Sequence, residues 1–252
     1  MVVEPRVISP PVRWPEKLAR SLLEIVYPRR CLCCGDPLLF RASLRSPVCL
    51  SCQESLVPIR AGRRCLVCSV PLVSELQRCT RCSGRSFSFA SNFSLYEYRG
   101  PVRQIISQFK FSNRRSLACL IARLLQPQLE GRYPGLPVVP VPGSRRSVRR
   151  RGWDPMAEVA RSLHRCAGTE TLALLKRRKG GPQKGLHYRE RLQNIRGTIR
   201  LGRSGKRHGS LPERVVLLDD IFTSGATADE CTRVLRLAGV QEVHVLTLAV
   251  EV

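Results

Sequence analysis

A chain of 252 residues with 43% hydrophobic side chains has room for one full α/β domain and a smaller unit, which excludes a disordered composition. No stretch approaches the roughly 20 apolar residues of a membrane-spanning helix, and the first thirty residues carry Glu4, Glu16 and five prolines instead of an apolar run, so a cytoplasmic protein without membrane insertion is expected. Lysine and arginine outnumber aspartate and glutamate 43 to 19, a balance of +24 that attracts polyanions: nucleic acid, a phosphorylated metabolite or an acidic protein.

Residues 1–30 read as an extension of prolines around one short amphipathic helix, formed by Leu18, Leu22, Leu23, Ile25 and Val26. Residues 31–85 form a cysteine-rich unit. Four C-x-x-C pairs follow one another: Cys31 with Cys34, Cys49 with Cys52, Cys65 with Cys68, and Cys79 with Cys82. A C-x-x-C turn sets two thiolates on one reverse turn with backbone N–H groups aimed at sulfur, so two such turns supply tetrahedral S₄ coordination. The pairs are separated by fourteen residues in the first half and ten in the second, spacings that suit two zinc ribbons, and Gly35 fits the sharp turn after Cys34. Two structural Zn²⁺ ions are therefore expected. A redox dithiol would need only one pair, and a secreted disulfide scaffold is unnecessary at this chain length. Spacing leaves sequential and cross-braced pairing both open; the sequential order is the expectation. Cys33 reads as a bystander, and Cys119, Cys166 and Cys231 as small buried hydrophobes.

Residues 90–252 change texture. FSLYEY (93–98) has strand composition, residues 102–109 and 117–129 carry apolar side chains at helical spacing, and PVVPVP (137–142) is a short strand ending in a turn. Met156, Val159, Ala160 and Leu163 recur on one helical face after Asp154-Pro155, a helix start. Residues 176–214, rich in Gly, Arg, Lys and Gln, read as mobile loops, with 203–210 as the most linker-like part. VVLLDD (215–220) is a strand, 227–237 a helix and VHVLTLAV (243–250) a final strand. Alternation of this kind argues for a parallel sheet covered by helices on both faces.

The segment VVLLDDIFTSGAT, beginning at Val215, carries the chemistry. The carboxyl end of a parallel strand opens into the ligand crevice, and the next helix offers N–H groups with no internal partner. Gly225 and Ala226 admit close backbone approach, Thr223, Ser224 and Thr227 offer hydroxyls, and the helix dipole favours an anion, so this loop suits a phosphate. Asp219 and Asp220 accept hydrogen bonds without donating, which suits vicinal hydroxyls. A ribose 5-phosphate matches both halves. The rival reading, the acidic strand of a P-loop NTPase, lacks its G-x-x-x-x-G-K-[ST] partner.

Taken with the four cysteine pairs, VVPVPGSRRSVRRRGWD (138–154) and GPQKGLHYRERLQNIRG (181–197), this segment resembles the type I phosphoribosyltransferases and, within them, the ComF/GntX family. The resemblance implies a type I phosphoribosyltransferase-like α/β fold, a parallel sheet with helices on both faces, preceded by a small double zinc ribbon. It also implies a site for phosphoribosyl pyrophosphate (PRPP) with Mg²⁺, and, for many members, a role with incoming DNA during natural transformation. Asp219 and Asp220 would then be the catalytic pair, and Thr223, Ser224, Gly225, Ala226 and Thr227 the phosphate loop. Arg145, Arg146, Arg149, Arg150 and Arg151 read as a basic loop whose guanidinium forks suit pyrophosphate, and the resemblance implies that Arg146 with Arg150 or Arg151, ahead of Gly152 and Trp153, would hold it. Gln183, Arg189, Arg191 and Asn194 would form a hood over it. Asp154-Pro155 replaces the Asn-Gln that family members often carry. Two functions follow: a phosphoribosyltransferase whose acceptor is not legible, or a non-catalytic module that keeps the fold and binds single-stranded DNA or a DNA-uptake protein.

Overall fold

In the computed structural model, which describes residues 29–38, 46–60, 62–72, 76–178, 195–207 and 210–251, four strands form a parallel sheet. These are β1 (Ser91–Glu97), β2 (Val138–Pro140), β5 (Arg214–Phe222) and β6 (Glu242–Val250), in the spatial order β1-β6-β5-β2. A separate antiparallel hairpin pairs β3 (Leu175–Arg177) with β4 (Ile199–Leu201). The helices are α1 (Leu50–Glu54), α2 (Gly100–Phe111), α3 (Leu117–Arg132), α4 (Arg145–Arg151), α5 (Pro155–Ala167), α6 (Arg203–Arg207) and α7 (Ala226–Leu237).

Val215, Val216, Leu217 and Leu218 are completely buried, as an unbroken apolar run must be when both faces of its strand are covered. Val216 and Leu218 join a core with residues of α2, α3 and α5. Val215 and Leu217, on the other face, pack with α7 and with Leu175 and Ile199 of the hairpin. Burial of each such side chain contributes about 1.5–3 kcal/mol, a large part of a domain's net stability.

The cysteine-rich segment divides between these two faces. Cys31, Leu38, Val48 and Leu56 belong to the core of α2 and α3, whereas Cys65, Val67, Cys68 and Cys82 belong to the core of α7 and the hairpin. The segment also covers the sheet's open edge at β1, where Asn92 N donates to Leu66 O at 2.8 Å and Ile59 N to Leu95 O at 2.9 Å. An exposed strand edge invites pairing with other chains, and here the metal-binding segment occupies it. The other edge, β2, is closed by Glu170 and Leu172 through Val138.

Several expectations are corrected. Strand β5 does not end at the acids: it continues through Ile221 and Phe222, paired with Ala249 and Val250 of β6, so Asp219 and Asp220 lie within it. The arginine run 145–151 is a helix and not a loop. Ser144 caps it by accepting from Ser147 N at 3.2 Å, and Gly152, at φ +78°, ends it. Within 176–214, the described residues form the β3–β4 hairpin and α6 where mobile loops were expected, because Leu174, Leu175 and Ile199 bury against the sheet. Cys231 is buried as expected, but Cys166 is exposed and Cys119 half-buried. The start of α5 follows the sequence: Asp154 accepts from Met156 N at 3.2 Å and Pro155 opens the helix. The amphipathic stretch from Leu18 to Val26 lies outside the described residues.

Candidate functional site

The eight paired cysteines gather into two clusters, Cys31, Cys34, Cys49 and Cys52, and Cys65, Cys68, Cys79 and Cys82. Sequential pairing holds. Within each cluster all four Sγ atoms lie within 4.8 Å of one another. Cys34 and Cys49 Sγ are 3.8 Å apart, and Cys68 and Cys79 Sγ 3.6 Å. A Zn–S bond of about 2.3 Å in tetrahedral geometry gives a sulfur separation of about 3.8 Å, so these donor sets fit zinc. Cys33 N and Cys49 N each donate to Cys31 Sγ at 3.3 Å, and Cys52 N to Cys49 Sγ at 3.4 Å. Such N–H···S bonds spread the charge of a tetrathiolate centre. Four protein ligands leave no open position, which makes these centres structural. Cys33 stands apart, its thiol donating to Gln104 Oε1 of α2 at 2.9 Å.

The second constellation lies at the carboxyl edge of the sheet. After β2 the chain turns to α4 and α5 on one face, and after β5 it turns to α7 on the other. The crevice between two such neighbouring strands is where open α/β sheets receive ligands. β2 pairs with β5 as far as Pro140 opposite Leu218, which brings Pro142 and Gly143 beside the acids. There a cleft of about 960 Å³ opens, lined by Arg145, Arg146 and Arg149 of α4 and by Lys176, Arg177 and Arg178. Asp154 braces its floor, accepting from Gly143 N at 2.8 Å.

The two acids leave opposite faces of β5. Asp220, buried, pairs with Lys110 of α2, Oδ2 to Nζ 2.6 Å. Burial acts to lower the Lys110 ammonium's pKa, but the Asp220 and Asp219 carboxylates outweigh it and hold the ammonium above its ordinary value. Asp219, half-buried, points toward Arg177 and Cys231 and accepts from the Asp220 amide at 2.9 Å. Burial, and then the Asp220 charge, push its carboxyl up to about 7, against the pull of Lys110, the Asp220 amide and Arg177.

The loop after β5 is shaped by packing as well as by its backbone. Gly225 has φ +78°, and a Cβ there would come within 2.8 Å of Phe222 Cζ and 2.9 Å of Phe87 Cε1. Phe87 lies five residues beyond the last zinc ligand, and the neighbouring Ser88 N donates to Asp229 Oδ1 of α7 at 2.6 Å. The second zinc ribbon therefore buttresses this loop. Gly225 provides no side-chain cap, and the Thr227 and Ala228 amides have no hydrogen-bond partner among the described residues. Ser224 Oγ faces Ala226 N at 3.4 Å, and Thr223, Ser224 and Thr227 are half-buried; neither they nor the two acids line the cleft.

Of the arginines singled out by sequence, Arg146 lines the cleft and Arg150 does not. Arg151 lies over the Phe111 ring at 5.9 Å, with the acids' side of the sheet beside it; burial lowers its pKa, opposed in part by Asp220 and Asp154. Its Nε and that of Arg177 are buried with no partner among the described residues. Gln183, Arg189, Arg191 and Asn194 lie outside the described residues. Sequence reasoning missed Lys110, Lys176, Arg177 and Arg178. Lys110 carried no signal, being one basic residue in an amphipathic helix; residues 176–178 were visible only as a charge run.

Comparison with known proteins gives a consistent picture. Residues 22–83 match the double zinc ribbon domain family. Over 229 residues the chain is 28% identical to competence protein F of Haemophilus influenzae, covering 87% of this chain and 96% of that protein. It is 26% identical to competence protein ComFC of Streptococcus pneumoniae over 228 residues, 87% of this chain and 99% of that one. It is 28% identical to the DNA utilization protein YhgH of Escherichia coli (strain K12) over 181 residues, 68% of this chain and 76% of that protein.

Proposed function

We propose, taking the chain as the double-zinc-ribbon homologue of competence proteins F and ComFC that these similarities make it, that it binds PRPP or a related ribose 5-phosphate and transfers the phosphoribosyl group in the service of DNA uptake or use. The observation that carries this reading is that Asp219, on the strand that runs into the glycine-turned amide loop, acts electrostatically on Arg177 of the basic cleft, so that loop, carboxylate and cleft share the carboxyl edge of the sheet. Each suits one part of PRPP. Thr223 to Thr227 receive the 5-phosphate on free amides and hydroxyls. Asp219 accepts from the ribose hydroxyls, while Asp220, on the other face of β5, stays paired with Lys110. Arg146, Arg149 and Arg177 take the pyrophosphate through guanidinium forks.

In the transfer the bond from C1 to the pyrophosphate oxygen breaks, the electron pair leaves with pyrophosphate, and a nucleophile of the acceptor bonds to C1. The arginines stabilise the departing charge and the carboxylates the positive charge on the sugar. Further neutralisation of pyrophosphate would come from Mg²⁺ held by the pyrophosphate and ribose hydroxyls of the substrate.

Calorimetric titration with PRPP and Mg²⁺ tests the reading. Saturable binding that is lost in Asp219→Asn/Asp220→Asn, with zinc content unchanged, is expected. Absence of binding to both PRPP and ribose 5-phosphate would overturn it.

A second reading rests on α4, whose Arg145, Arg146, Arg149 and Arg150 are exposed: a module without transfer that holds single-stranded DNA. Neutralising these four to Gln should then abolish a salt-dependent gel shift while ribose 5-phosphate binding persists.

A further inference from the structure

A second cleft, of about 630 Å³, opens at the opposite end of the sheet, where the second zinc ribbon meets the amino ends of β1, β5 and β6. Arg64 enters it from the ribbon, Arg132 from the last turn of α3 and Arg214 from the first residue of β5; no carboxylate lines it. The Arg64 and Arg132 guanidiniums both lie over the Phe93 ring, 4.5 and 3.8 Å from its centroid. Arg64 donates to the carbonyls of Ser94, Ile59 and Arg60, and Arg132 to Gln128, so neither charge meets an acid in these contacts. Arg214 is exposed and forms no ion pair among the described residues.

Polar groups without charge complete the wall. Ser91 Oγ lies 2.9 Å from His244 Nδ1, and the Tyr133 ring packs on the His244 imidazole with centroids 5.1 Å apart. Asn92, 5% exposed, stands behind Ser91 with its Oδ1 unpartnered. Glu242 sits 3.5 Å from His244 Nε2, outside the lining. The carbonyl end of α3 faces this space with a partial negative charge of about one half, so the three guanidiniums of Arg64, Arg132 and Arg214 leave positive charge in surplus.

We propose that this cleft binds a phosphate monoester of nucleotide size, its phosphate gripped by Arg132 and Arg214 and its remainder lying along Tyr133, Ser91 and Leu66. Uncompensated guanidiniums call for an anion, their paired N–H groups match phosphate oxygens, and the volume suits a molecule larger than phosphate itself. The site is distinct from the carboxyl edge: Arg214 and Asp219 are five residues apart on one strand, about 17 Å at the rise of an extended chain. A ligand here touches both the ribbon and the sheet and so ties one to the other.

Zinc-loaded full-length protein titrated with adenosine 5′-monophosphate tests the proposal, read by calorimetry and by hydrogen exchange of residues 62–69 and 131–136. Protection of both segments is expected. Arg214→Gln, an exposed position free of ion pairs, should weaken this binding about tenfold and remove the protection, whereas Arg146→Gln/Arg149→Gln at the other edge should leave it intact. Unprotected segments in the wild type, or undiminished protection in Arg214→Gln, would overturn the site. Equal protection by inorganic phosphate alone would overturn its assignment to a nucleotide-sized ester.

Discussion

Lys110 Nζ and Asp220 Oδ2 stand 2.6 Å apart in a largely buried pair that joins helix α2 to the acidic strand. Removing one partner leaves the other charge stranded away from water, which costs about 3–5 kcal/mol in such settings. Lys110→Met should therefore lower unfolding stability by about 3 kcal/mol in urea titration, and Lys110→Met/Asp220→Leu should recover most of the loss. Equal stability of wild type and Lys110→Met would show that the pair is solvated.

The raised carboxyl of Asp219 makes a pH prediction whose sign is opposite to that of a salt-bridged acid. Its pKa of about 7 lies above its usual value of 3.8, so the folded protein holds a proton that the unfolded chain has released. Stability contributed by this group is then greatest at low pH and is lost as pH rises toward and through 7. Thermal melts between pH 5.5 and 8 should show a decline in the wild type that Asp219→Asn lacks, and taking the difference between the two removes the common effect of zinc release. If Asp219 accepts from ribose hydroxyls, affinity for ribose 5-phosphate should climb over the same interval as the carboxylate ionises.

Gly225 combines a left-handed backbone with contact against Phe222 and Phe87. Gly225→Ala should cost about 1–2 kcal/mol for the conformation and about 1–3 kcal/mol for overpacking, and should reduce phosphate binding. Gly239→Ala supplies the control, because Gly239 has φ +107° and no atom within 4 Å of an added Cβ. Its melting temperature should fall less, with ligand affinity unchanged; identical losses in the two variants would remove the argument from packing.

The two zinc clusters should differ in their reach. Cys65→Ser/Cys68→Ser dismantles the ribbon whose exit segment, Phe87 and Ser88, supports the phosphate loop. It should lose one equivalent of zinc and raise hydrogen exchange across residues 222–229. Cys31→Ser/Cys34→Ser should lose the other equivalent and loosen α2 through Gln104, leaving that loop protected. Elemental analysis with exchange mass spectrometry distinguishes the two.

Short-range patterns were legible. C-x-x-C is a local turn whose two thiolates are set by the backbone between them, so the ligands could be named from spacing. The apolar run Val215–Leu218 announced a doubly covered strand, and Asp154-Pro155 announced a helix start. Where the reading slipped, a distant partner had decided. The arginines of α4 looked like loop because their charge masks periodicity, while the Ser144 cap and Gly152 stop make the helix. Residues 176–178 looked mobile because their strand partner lies more than twenty residues later.

By itself, then, the sequence determined the four C-x-x-C ligand turns, the alternating strands and helices, and the apolar strand that carries the acidic pair, since each depends on neighbours a few bonds away. Only the tertiary structure decided that the ribbons clasp opposite faces of the sheet, that Asp219 and Asp220 part company toward Arg177 and Lys110, and that arginines from five separate segments border two clefts. Those outcomes follow from side-chain alternation along β5 and from burial of apolar faces between remote segments, interactions that no local pattern encodes.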